Sequence, residues 1–291
     1  MSGNTDSSQK ANKLAETRWT DDSIRWPEDP PKTYESDEEE TGFMDPFKDP
    51  DPFQIFEFKF DRPGRKSFAA ADDEDGADRC IDLKIRGYKS EADEIWQSTG
   101  LTLWRASDYL CEYQVLHAEL FQGKRVLELG AGLGLNGILV WRMTTGSTVC
   151  ITDGDTEALV HLRGNVERNK PETSASEEST ISCHQLIWGR ETSTNFLEHH
   201  ARGQVYDVLI ASDIIYAECI IQPLWETVQT LLSRTDGVFV MAFARRKVPV
   251  SIQYVLDSAV KNGFVYELAR EDTEEGIWVY IFRFRNEEDT K

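Results

Sequence analysis

From Gly100 onward, segments that read as buried strands alternate with segments of helical period, and the alternation lapses only at the last two strands. No other feature narrows the fold as much. Regular βα alternation makes successive strands parallel, because each helix crosses back over one face of the sheet. The strands are "RVLEL" (Arg125–Leu129), "TVCIT" (Thr148–Thr152), "ISCHQLIW" (Ile181–Trp188), "YDVLIAS" (Tyr206–Ser212) and "GVFVMAFA" (Gly237–Ala244). Helices are expected over 104–120, 133–143, from Asp155 onward, 220–234 and 249–262. In the third of these Leu159, Leu162 and Val166 recur on one face, and Asp155 and Glu157 suit the positive end of its dipole. Only "AREDTEEG" links the final strands "GFVYELA" and "GIWVYIFRF". That is too short for a parallel crossover, so the last strand must run antiparallel.

Two more strands are expected upstream, "FQIFEFKF" (Phe53–Phe60) and "CIDLKIRGY" (Cys80–Tyr88), as a hairpin around the acidic "AADDEDGADR". Ahead of them "YESDEEETGFMDPFKDPDP" combines acids and prolines, a composition that offsets little chain entropy by burial. The division is therefore a disordered acidic tail over 1–52, a hairpin extension over 53–103 and an α/β domain over 104–291. The net charge is −20, of which −11 falls in the first 94 residues. Such a balance argues against binding nucleic acid, whose backbone is held by Lys and Arg. It suits a basic partner, which an acidic surface steers inward.

Five widely spaced cysteines give neither a disulfide framework nor a zinc site. His117, His161, His184, His199 and His200 lack ligand spacing, so no metal is expected, and "EHHARG" reads as a loop. With no signal-like start and no apolar run of about 20 residues, a monomer of the cytosol or nucleus, away from membranes, is expected.

"RVLELGAGLGLNG" carries the chemistry. Gly130, Gly132 and Gly134 follow a strand and open a helix, where a ligand can approach the backbone closely. A dinucleotide fingerprint would need Gly or Ala at the sixth position, which is Leu135 here. Glu128, just before the turn, disfavours a pyrophosphate and favours a cation. Asp153, about 20 residues on, ends the next strand where an acid binds ribose hydroxyls. A ribose, a positive charge and no phosphate describe S-adenosylmethionine.

In "TGLTLWRAS", "VLELGAGLGLNGI", "QLIWG" and "ASDIIYAE", taken in that order, the chain resembles the seven-stranded S-adenosylmethionine-dependent methyltransferases. It resembles more closely the protein-lysine methyltransferases called methyltransferase family 16, over about Phe53 to Arg285. The resemblance implies a Rossmann-like seven-stranded α/β sheet with an antiparallel final strand. It implies that Trp104 lies against the cofactor, that Glu128, Gly130, Ala131 and Gly132 hold its methionine part, and that Asp153 takes the ribose. Trp188 would meet the adenine region and Ser212, where relatives more often carry Ala, would add a contact. Asp213 and Tyr216, from the Asp-x-x-Tyr signature, would orient a lysine nitrogen of a protein substrate. A basic residue is expected at Arg245 or Arg246. Methylation of histidine or of a small amine, and a non-catalytic adaptor role, remain the alternatives.

Overall fold

The computed structural model describes residues 52–63, 80–88, 99–171, 179–245 and 250–285. Apart from Pro52, the tail expected over 1–52 lies outside them, as do the acidic loop of the hairpin and Arg246. Strands β1 (Phe53–Asp61) and β2 (Cys80–Tyr88) pair antiparallel from Phe53↔Tyr88 to Asp61↔Cys80. Alternation turns Ile81, Leu83 and Ile85 of β2 inward, where all three are fully buried.

A seven-stranded sheet follows, built from β3 (Arg125–Leu129), β4 (Thr148–Asp153), β5 (Thr180–Gln185), β6 (Val208–Ser212), β7 (Val238–Ala244), β8 (Phe264–Asp272) and β9 (Ile277–Phe284). Its order is β5-β4-β3-β6-β7-β9-β8. The last strand of the chain is antiparallel to both neighbours, as its short connection requires, but it lies between β7 and β8 rather than at the edge.

Helices α1 (Arg105–Leu116), α2 (Leu135–Met143), α3 (Thr156–Arg168), α4 (Arg190–His199), α5 (Ile221–Leu231) and α6 (Ile252–Lys261) flank the sheet. Period-two alternation divides the strands between two cores. Val126, Ile151 and Ile210 join Leu110, Ile138, Leu162 and the hairpin on one face. Leu127, Leu209 and Phe239 join Trp225, Phe264 and Phe282 on the other. No helix among the described residues is long and apolar enough to cross a membrane.

Two asparagines one helical turn apart fasten the hairpin to this body. Asn169 accepts from Lys84 N at 2.8 Å and donates to Lys84 O at 2.9 Å. Asn165 does the same for Arg86, at 2.8 and 3.2 Å. Their amides stand in for a neighbouring strand, so the inner edge of β2 keeps no unpaired backbone groups at Lys84 and Arg86.

The structure corrects several expected boundaries. α1 ends at Leu116 and is followed by a single 3₁₀ turn, Ala118–Leu120. β5 stops at Gln185, which pairs with the last residue of β4, so "LIW" has no strand to continue against and leaves the sheet. β6 starts at Val208, while Tyr206 makes only an isolated bridge to Leu232. Helix α4 was not expected at all, because Ser193 and Phe196 are its only buried residues and its apolar signal is correspondingly weak. His199 and His200 therefore close a helix rather than sit in a loop.

Candidate active site

The strand order reverses between β3 and β6, the switch point at which the connections part to opposite sides and leave a crevice beyond the carboxyl ends. A cavity of about 570 Å³ occupies that crevice. Its walls contain Trp104, Gly130, Ala131, Gly132, Asp153, Trp188, Ser212, Asp213 and Tyr216. Nine of the ten site residues expected from sequence thus come together, drawn from five separate stretches of the chain.

The glycine turn sets one wall. Gly130 and Gly132 have φ of 62° and 53°, left-handed values that are costly for residues with a Cβ. A Cβ on Gly130 would stand 2.8 Å from Ile214 Cγ2 and 3.3 Å from Trp188 Cζ2, and one on Gly132 would stand 3.0 Å from Gly100 O. Asp153 staples this turn to the end of β4, its two oxygens accepting from Gly132 N at 2.8 Å and Asp155 N at 2.9 Å. Burial raises the Asp153 pKa, against those two hydrogen bonds, which lower it.

Glu128 is the tenth residue, and its position corrects the expectation. It is 1% exposed, lies beneath the turn rather than in the cavity wall, and accepts from Gly137 N at 2.9 Å. Burial pushes its pKa up to about 8, opposed by the Gly137 hydrogen bond and reinforced by the nearby Asp153. Through that hydrogen bond it fixes the start of α2.

Just past the end of the neighbouring strand β6, Asp213 lies in the left-handed region, φ 58°, where a non-glycine residue is uncommon and Asp among the better tolerated. Its amide donates to Ala242 O at 3.0 Å, and its Oδ1 accepts from Ala244 N at 3.2 Å. β7 thereby holds the strained residue from both backbone and side chain. Asp213 is buried, 7% exposed, whereas Tyr216 at the rim is 52% exposed. Further on, the Glu218 carboxylate close to Tyr254 of α6 raises the pKa of that tyrosine.

Sequence reading named Ser212 in this wall but missed Ser107 and Asn136 beside it. Ser212 and Ser107 line the cavity, and both reach Asn136 Oδ1 at 3.0 Å. Asn136, 1% exposed, sits inside the glycine motif, and the signal for it is a polar residue on the inner face of a buried helix. Leu186 and Ile187 line the cavity because β5 ends early. Of the expected basic pair, Arg245 lies over the Trp278 ring at 5.3 Å, outside the cavity wall. The rings of His184 and His200 approach to 4.7 Å, but no group of three metal-ligating side chains forms among the described residues.

Residues 83–255 match the family model described as lysine methyltransferase. The chain belongs to the lysine methyltransferase family. The matched region begins within β2 and ends within α6, so the fastened strand of the hairpin is inside it and the β8–β9 pair is not. Among similar proteins, protein N-lysine methyltransferase METTL21A of Danio rerio is 30% identical over 205 residues, 68% of this chain and 85% of that one. EEF1A lysine methyltransferase 3 of Xenopus tropicalis is 28% identical over 185 residues, 63% of this chain and 75% of the other. Protein-lysine N-methyltransferase EFM3 of Chaetomium thermophilum is 27% identical over 167 residues, 57% of this chain. That match covers only 48% of the EFM3 relative. Across this family match the glycine turn, the "IWG" segment and the "SDIIY" segment all converge on the one cavity.

Proposed function

We propose that this chain is an S-adenosylmethionine-dependent methyltransferase that modifies a lysine side chain of a protein. The carrying observation is the juxtaposition, in one cavity, of a glycine cradle that a Cβ would fill and a buried carboxylate held in a strained backbone past the end of the neighbouring strand β6. The residues fit the cofactor: Asp153 and Asp155 offer acceptors to ribose hydroxyls, Trp104 and Trp188 offer aromatic faces, and among the described residues no Lys or Arg lines the cavity to hold a phosphate. When bound, the cofactor supplies an electrophilic methyl group.

The rest of the work falls to this chain's residues. Methyl transfer to an amine is dominated by positioning, since a neutral nitrogen is already a good nucleophile. Asp213 accepts a hydrogen bond from the incoming nitrogen and stabilises the positive charge that grows there, in a buried setting where such charge stabilisation is strong. Tyr216, half exposed at the mouth, orients the lysine stem against its ring. The acidity of the chain supports a basic protein substrate, and all five cysteines are free, which suits a monomer in the reducing cytosol or nucleus.

The test is incubation of the purified chain with methyl-labelled S-adenosylmethionine and a cell extract. A discrete labelled protein band, absent with Asp213→Ala, is expected. Label appearing only in the small-molecule fraction would overturn the protein-substrate reading.

A further inference from the structure

Asn136 sits in the first turn of α2, behind the cavity, and its amide orientation is settled by its neighbours. Nδ2 faces Ser107 O at 2.9 Å, Cys111 Sγ at 3.1 Å and Gln114 Oε1 at 3.4 Å. A flipped amide would set two acceptor oxygens against each other at Ser107 O, so Oδ1 must be the end that meets the serines. Each serine hydroxyl lies 3.0 Å from that oxygen, and the two hydroxyls lie 2.9 Å from each other.

Three contacts among these oxygens share two protons. Oδ1 can only accept, so the arrangements that make the most hydrogen bonds within the trio have either both hydroxyls donating to it, or one donating to it and the other to its serine partner. Both arrangements consume every proton the pair has. Toward the cavity, which Ser107 and Ser212 both line, only lone pairs remain. The wall lies beside the glycine turn: Glu128 pairs with Ile210, and two residues further along both strands come Gly130 and Ser212.

We infer that Asn136 makes Ser107 and Ser212 a pair of acceptors facing the cavity, a wall suited to a cationic group. On the functional reading above, from which the inference departs, that group is the sulfonium of S-adenosylmethionine. Asn136 is then a positioning residue, acting through the two hydroxyls that meet the ligand.

The experiment is calorimetric titration of the full chain with S-adenosylmethionine, which carries the charge, and with S-adenosylhomocysteine, the neutral thioether of nearly the same shape. Ser107→Ala combined with Ser212→Ala is expected to weaken binding of the cation about tenfold and of the thioether less than twofold, the worth of hydrogen-bonding dipoles lost from a charged group. Asn136→Ala is expected to shift the same ratio in the same direction. If that variant is too unstable to titrate, the serine variants decide. Equal weakening of both ligands, or no change in either, would overturn the inference while leaving the cofactor assignment intact. Failure of the unmodified chain to bind either ligand would overturn the cofactor assignment and the inference with it.

Discussion

Gly137→Ala sets two effects of opposite sign against each other. Gly137 lies in the first turn of α2 without a positive φ, so helix propensity alone predicts that alanine stabilises by up to about 1 kcal/mol. The packing predicts otherwise. A Cβ there would overlap Ile151 Cγ2 and come within 2.5 Å of Glu128 Oε2. Overpacking a closed core costs about 1–3 kcal/mol. Displacing Glu128 from Gly137 N adds about 1–3 kcal/mol for a buried hydrogen bond left unmade. The net expectation is a loss of about 1–5 kcal/mol, or roughly 2–20 °C in melting temperature for a domain of this size. Gly164, in α3, is the control: it is also helical, but a Cβ would meet nothing within 4 Å. Gly164→Ala is expected to raise the melting temperature by about 2–4 °C. Thermal unfolding of the two variants beside the parent gives both numbers. If Gly137→Ala matched Gly164→Ala, the close approach of α2 to β3 and β4 would be refuted.

Glu128 titrates near 4.5 in an unfolded chain but at about 8 when folded, so between those values the folded state binds more protons and stability falls as pH rises. Glu128→Gln is expected to remove that decline, worth on the order of a few kcal/mol across the window, and denaturant melts at pH 5 and pH 8 would reveal it. Asp213→Asn keeps an acceptor for Ala244 N and tolerates the left-handed backbone, so stability is expected to change by under about 1 kcal/mol. Its methyl-transfer rate is expected to fall about 10²–10³-fold, read as single-turnover kinetics beside the melting curve. Asn169→Leu strands Lys84 N and O and is expected to cost about 2–3 kcal/mol, with faster hydrogen exchange at the Lys84 amide than at that of Leu127.

The parallel sheet, its antiparallel last strand and most of the cavity were legible in the chain because strand and helix periods are strong local signals and the glycine turn is a local requirement. What was not legible depended on partners far away in sequence. Glu128 reads as a charged ligand-facing acid until its burial beneath Gly137 is known. "ISCHQLIW" has a strand's composition throughout, but β4 ends opposite Gln185, and that termination belongs to another segment. Asn165, Asn169 and Asn136 are ordinary helix-surface residues by composition, and only tertiary structure turns the first two into a surrogate strand for β2 and the third into the hub of a serine pair. Helix α4 packs through so few side chains that its period was too weak to register.

Asp213, buried in the cavity wall, and Tyr216, at its mouth, are proposed to orient a lysine nitrogen, and the most direct test is chemical identification of the product. Protein labelled by the purified chain with methyl-labelled S-adenosylmethionine would be hydrolysed to amino acids and the label separated. Label in Nε-methylated lysine, lost with Asp213→Asn, is the predicted result. Label in methylhistidine, or in lysine at an undiminished rate with Asp213→Asn, would contradict the role given to this site.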